Sequence, residues 1–256
     1  MQELFSLEGR VALVTGASGG IGRAIATGLA SAGATLAVNG RAVDRLEAVC
    51  GEIEAANGTA AAFPADLSDR RAIPALVDEV VARFGQIDIL VTCAGANRRM
   101  PIKDVTPEIY DAIMASNLDS IFFLSQAVLP HLVARGGGKI VNIGSLTSSI
   151  GLMNVSVYGI TKSAVAQLTK TMAIEWAEHN IQVNCLCPGF IATELTAPLW
   201  ADPQRSQWML DRIPSKRAGR PEDLVGMAIY MASAASNYTT GQSIYVDGGF
   251  TVGSQW

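Results

Sequence analysis

Short, nearly continuous apolar runs alternate along the chain with longer stretches whose apolar residues recur every three or four positions. R-V-A-L-V-T-G at 10–16 has the pattern of a strand buried on both faces, and G-R-A-I-A-T-G-L-A-S-A-G at 22–33 that of a helix closed by Gly33. The same alternation places strands at 35–39, 61–65 (the weakest), 87–95, 139–145, 181–187 and 243–247. Between them it places helices over roughly 42–56, 71–84, 107–134, 155–180 and 221–234. This order predicts an α/β fold: a single doubly wound Rossmann-type domain over 1–256, its seven-stranded parallel sheet covered by helices on both faces. Right-handed crossovers then put a ligand outside the carboxyl ends of the strands.

Composition narrows the class. With 49% hydrophobic and 16% charged residues, the chain can bury a sizeable core. A net charge of −4, with Lys and Arg scattered, argues against a nucleic-acid partner. Cys50, Cys93, Cys185 and Cys187 have neither zinc-like nor C-x-x-C spacing and read as reduced thiols. The stretch M-Q-E-L-F-S-L-E-G is not a secretory signal, and no uninterrupted apolar run is long enough to span a bilayer. A soluble, cytoplasmic protein with no membrane partner is expected.

Chemistry concentrates where predicted strands end. The first strand–helix junction, T-G-A-S-G-G-I-G, spaces Gly16, Gly20 and Gly22 so that backbone can approach a pyrophosphate at a helix N-terminus. No G-K-[ST] follows, which argues against a nucleoside-triphosphate loop. The second strand ends in Asn39-Gly40-Arg41, without the carboxylate that would bond an NAD ribose. Arg41 can instead hold a 2′-phosphate, so NADP is the preferred cofactor and NAD a possible one. Tyr158 and Lys162 stand one helical turn apart, a spacing that chance alone would supply in about one such sequence in ten. His131 and His179 lie near helix ends, no His–carboxylate cluster suggests a metal, and Ser145 is not in a G-x-S-x-G elbow.

Taken together, T-G-A-S-G-G-I-G, Asp66-Leu67, C-A-G at 93–95, Asn117, Ser145, Tyr158-x-x-x-Lys162 and Pro188-Gly189 followed by Thr193 resemble the short-chain dehydrogenases/reductases over the whole chain. The resemblance implies a catalytic tetrad of Asn117, Ser145, Tyr158 and Lys162. It implies cofactor contacts from Gly16, Ser18, Gly20, Ile21, Gly22, Asn39, Arg41, Asp66, Leu67, Ala94, Gly95, Tyr158, Lys162, Pro188, Gly189, Ile191 and Thr193. The chain departs from the family at Cys93, where an asparagine commonly braces the turn after strand four. V-N-G-R, the Arg98-Arg99 doublet and E-W-A-E-H-N-I-Q-V-N are similar to a branch that interconverts a sugar acid, such as gluconate, and its keto acid. The resemblance further implies a homotetramer that pairs the helices near 107–134 and 155–180.

Under this reading Tyr158 exchanges a proton with the substrate oxygen, the Lys162 cation stabilises its anion, Ser145 holds that oxygen, and Asn117 holds a relay water. The segment 190–216 would be a substrate lid. Arg98, Arg99, Leu195 and Trp200 are candidate substrate contacts, and one arginine of the doublet or the lid would pair with a carboxylate. The rival readings are a reductase of 3-oxoacyl thioesters or of neutral, including cyclic, ketones, and a non-catalytic dinucleotide-binding sensor. The intact Ser145, Tyr158 and Lys162 argue against the sensor.

Overall fold

The computed structural model describes residues 2–253. Seven parallel strands, β1 (Val11–Thr15), β2 (Thr35–Gly40), β3 (Thr59–Pro64), β4 (Ile89–Thr92), β5 (Gly138–Ile143), β6 (Ile181–Pro188) and β7 (Ser243–Val246), form one sheet in the order β3-β2-β1-β4-β5-β6-β7. The predicted doubly wound sheet is therefore present. Successive side chains of a strand point to opposite faces, and here both faces are buried. Ala12, Val14, Leu36, Val38, Ile89 and Val91 pack on one side, against helices α1 (Gly20–Ser31) and α2 (Val43–Ala55). Leu13, Ala37, Leu90 and Ile140 pack on the other, under helix α3 (Ala72–Phe84) and two longer helices.

The first of these, α4 (Pro107–Ala134), changes pitch halfway: Ala115–Asp119 is a π-helical turn. No uninterrupted apolar run crosses a bilayer's thickness, yet α4, with 28 residues and an 18-residue window of mean hydropathy 1.4, is long and apolar enough to do so. Its Leu124, Val128 and Leu132 instead lie in the core with Ile73, Leu76 and Val80 of α3. The second, α5 (Ser156–Glu175), stops short of the expected 180; a short 3₁₀ turn follows, and Asn180 takes a left-handed conformation (φ 56°) before β6. The segment 190–216 forms two helices, α6 (Ala197–Ala201) and α7 (Pro203–Arg212). The last helix, α8 (Val225–Ala232), precedes β7.

Strand order reverses at β1, which pairs with β2 on one side and β4 on the other. Connections leave that point in opposite directions, opening a crevice at the carboxyl ends of the strands. Every candidate site segment emerges along this edge.

Candidate active site

The β1 turn is built on close backbone contacts. Gly16 has φ 64°, and a Cβ there would lie 2.8 Å from Ala94 Cα. A Cβ on Gly22 would lie 2.2 Å from the Gly16 carbonyl oxygen. No side chain caps the N-terminus of α1, whose first residue Gly20 has φ 52° and faces the Thr193 methyl group. Uncapped amide donors, a positive dipole end and a turn stripped of side chains fit a pyrophosphate. Ser18 lies beside Gly40 at the end of β2, within reach of the same mouth.

The departure at Cys93 is accommodated through the main chain. Thr15 Oγ1 accepts from the amides of Cys93 (3.0 Å) and Ala94 (3.1 Å), bracing the β4 turn whatever the side chain at 93. Burial pushes the Cys93 thiol up to about 11, so it stays neutral near pH 7. Thr15 is a site residue that the glycine spacing alone did not single out.

Three expected cofactor contacts turn their side chains elsewhere. Asn39 is buried, its Nδ2 donating to the carbonyls of Phe63 (2.9 Å) and Ala65 (3.4 Å) while its own carbonyl accepts from Ala17 N. It clamps the ends of β1, β2 and β3 together. Leu67 and Ile191 are core residues on opposite faces of the sheet, and the Ile191 carbonyl accepts from Thr196 Oγ1 at 2.6 Å. Arg41, in contrast, reaches into solvent with its Nη1 3.9 Å from Asp66 Oδ2. Hydrogen bonds from Ser68 hold the Asp66 carboxyl below its ordinary range, with the Arg41 charge a smaller contributor.

At the other end of the crevice, β5 delivers Gly144 and then Ser145, which caps a short 3₁₀ turn: its Oγ accepts from Thr147 N at 3.1 Å. Ser148 locks this loop to α5, its hydroxyl accepting from Ser145 N (3.2 Å) and donating to the Lys162 carbonyl (2.8 Å). Lys162 is only 4% exposed. Its Nζ donates to the Ile143 carbonyl at 2.7 Å and lies 5.7 Å from the centre of the Tyr158 ring. The lysine thus joins the helix that carries Tyr158 to the strand that carries Ser145.

Asn117 sits fully buried inside the π turn of α4. Its Oδ1 accepts from Ala96 N (2.7 Å), and its Nδ2 donates to Ala96 O (2.8 Å) and Thr161 Oγ1 (3.3 Å). A Cβ on Gly95 would meet Asn117 Oδ1 at 3.3 Å and Lys162 Nζ at 3.9 Å. The C-A-G loop, the π turn and the Tyr158–Lys162 helix therefore converge at one point. A single extra residue per turn is a recurring feature of functional sites in long helices.

A cavity of about 360 Å³ is lined by Arg99, Leu152, Met153, Phe190, Leu199, Gln204, Arg205, Trp208 and Met209, and its Arg99 lies within electrostatic reach of Tyr158. Of the four expected substrate contacts it includes Arg99 alone; Arg98 and Leu195 are exposed outside its lining, and Trp200, in the last turn of α6, is half-buried outside it. The missed residues Leu152, Met153 and Phe190 are apolar and scattered in sequence, and carry no local signal. Partial desolvation lowers the Arg99 pKa, the Arg205 charge adds to this, and Tyr158 acts in the opposite direction. Among the described residues no carboxylate forms an ion pair with Arg99.

Comparisons with known proteins identify the family. The family model described as enoyl-(acyl carrier protein) reductase matches residues 16–251. The chain is 42% identical over 250 residues to gluconate 5-dehydrogenase of Gluconobacter oxydans, covering 98% of each. It is 46% identical over 247 residues to 2-dehydro-3-deoxy-D-gluconate 5-dehydrogenase of Escherichia coli, covering 96% of this chain and 97% of the other. The crystal structure of a Burkholderia cenocepacia gluconate 5-dehydrogenase with NADP and tartrate superposes with a TM-score of 0.95 at 41% identity, covering 98% of this chain and 99% of that one. A glycine turn fit for a dinucleotide and a lysine linking Tyr158 to the Ser145 strand thus occur in a chain that belongs to the short-chain dehydrogenase/reductase family, an oxidoreductase using a nicotinamide cofactor.

Proposed function

We propose that the protein interconverts a sugar acid and its keto acid, with NADP preferred over NAD. The observation that carries the substrate class is Arg99: a cationic group on the wall of the cavity, within electrostatic reach of Tyr158 and without a carboxylate partner among the described residues. A substrate carboxylate there would leave the rest of the molecule to extend toward the phenol. The relatives from Gluconobacter and Escherichia carry names of sugar-acid dehydrogenases, and the Burkholderia structure holds tartrate, itself a hydroxy acid. Arg41 supports the NADP preference, because it is the cation at the end of β2 and no carboxylate takes the ribose position there.

The bound dinucleotide would supply the hydride acceptor or donor. Tyr158 transfers the proton, with the Lys162 Nζ 5.7 Å from the centre of its ring. Ser145, fixed by Thr147 N and Ser148, presents its hydroxyl to the substrate oxygen. Both N–H groups of Asn117 are engaged, so a relay water would rest on an oxygen at that residue. We assign the enzyme to the cytoplasm and to a homotetramer. The assembly is supported by the exposed apolar residues Tyr110, Phe122 and Val133 on α4 and Ile160 and Ile174 on α5.

The apolar part of the cavity wall favours one competing substrate, a 3-oxoacyl thioester. Reduction of 5-keto-D-gluconate and of a 3-oxoacyl thioester by NADPH, measured side by side, separates the two. The sugar-acid assignment requires the keto acid to win in kcat/KM, and a faster thioester overturns it.

A further inference from the structure

Two guanidinium groups from different parts of the chain line the cavity, and that of Arg99 is within electrostatic reach of Tyr158. Arg99 belongs to the loop after β4, which is tied down by Met100 N donating to the Asn154 carbonyl at 2.9 Å. Arg205 belongs to α7, the second helix of the lid. Resting on the sugar-acid reading, we propose that Arg205 is a specificity-determining residue that closes with Arg99 on the substrate carboxylate, so that an anionic substrate draws α7 onto the body of the enzyme.

Apart from Arg99, Arg205 and Gln204 the cavity is lined by apolar side chains, so an anion entering it has few other partners. Arg205 has a carboxylate nearby, with its Nε 3.3 Å from Asp202 Oδ2. That contact is an exposed one, of the kind worth little in water, and Asp202 Oδ1 already caps α7 by accepting from Gln204 N and Arg205 N. Two like charges facing one cavity repel, and a carboxylate between them converts the repulsion into two charge-assisted contacts. That difference between empty and filled sites is what a ligand needs in order to shift a closing equilibrium. Trp208 and Met209 follow Arg205 at three and four residues on the same helix face, so movement of Arg205 toward Arg99 carries the apolar wall with it. Trp208 packs against Phe190 and Phe250, at centroid distances of 6.4 and 6.1 Å, which ties α7 to the residues after β6 and β7.

The test is steady-state reduction of 5-keto-D-gluconate and of its uncharged methyl ester by NADPH, in the wild type, Arg205→Gln, Arg205→Lys and Arg99→Gln. Arg205→Gln is expected to lower kcat/KM for the acid by about tenfold or more, the factor of one charge-assisted hydrogen bond. The ester should change by no more than about twofold, and Arg205→Lys should fall between, keeping the charge without the planar fork. Losses from Arg205→Gln and Arg99→Gln should combine to less than their product, because both residues hold one group. Equal losses on acid and ester, or an acid preference that survives Arg205→Gln, overturn the role of Arg205 while leaving the sugar-acid reading standing. A wild type that reduces the ester as well as the acid overturns that reading and this inference with it.

Discussion

Tyr158 and Lys162 illustrate how much a single residue depends on its surroundings. Their spacing alone is common; what makes it chemical is that Lys162 is buried and bonded to the Ile143 carbonyl, two residues before Ser145. Tyr158→Phe keeps the ring that lies over Lys162 and removes the transferable proton. It should lower kcat by 10²-fold or more, on the order of a general acid's contribution, while NADPH binding followed by fluorescence stays within about twofold. Arg41→Ala should weaken NADPH by roughly tenfold or more and leave NADH nearly unchanged, since only the former carries the extra phosphate. Competitive binding of the two cofactors reads this directly. At this scale the sequence was legible where the chemistry requires a residue type. It was illegible where an identity serves two ends: Asn39, at the strand end where a ribose ligand is expected, puts its amide under β3 instead.

At the scale of elements, the strands and helices followed from hydrophobic period, but their local irregularities did not. The π turn at Ala115–Asp119 adds one residue to a turn whose apolar pattern reads as ordinary helix on either side. Nothing in a 3.6-residue period marks where that residue enters, because the cause lies in what Asn117 must reach in the C-A-G loop and Thr161. The glycine turn was legible because its requirement is steric. Gly22→Ala would drive a methyl against the Gly16 carbonyl, and the expected outcome is loss of dinucleotide binding by tenfold or more, on the order seen for a misplaced binding group. Calorimetric titration with NADPH measures it.

β5 carries a second irregularity, at its other end. Lys139 is buried there with Ser236 Oγ and Asn237 Oδ1 as its side-chain partners among the described residues, and burial, aided by the Arg10 charge, lowers its pKa from 10.5 to about 8. Below pH 8 both folded and unfolded chains hold the proton, and the cost of burying the charge is fully present. Between about pH 8 and 10.5 the unfolded chain binds more protons than the folded one, so this group's contribution to stability rises with pH. Lys139→Met should therefore stabilise the protein at pH 7 by an amount of order 1 kcal/mol after solvent screening, with the gain shrinking toward pH 10. Urea unfolding of both proteins at the two pH values gives the difference. Activity should not change, because Lys139 lies at the edge of the sheet opposite Ser145.

On the scale of the whole molecule, the parallel sheet was legible from alternation alone, since few topologies accept seven strands separated by helices. The cavity lined by Arg99 and Arg205 was not, because its walls come from loops after β4, β5 and β6 and from α6 and α7, which meet only in three dimensions. The outward faces of α4 and α5 bear the exposed Phe122, Ile160 and Ile174. If copies of the chain pair there, Ile174→Glu should shift the mass seen by light scattering from a tetramer toward smaller species. The proposed activity is tested most directly by following nicotinamide absorbance while the purified protein oxidises D-gluconate, with NADP⁺ and NAD⁺ in parallel. It requires turnover, faster with NADP⁺; absence of turnover with either cofactor contradicts the sugar-acid assignment, and a preference for NAD⁺ contradicts the role given to Arg41.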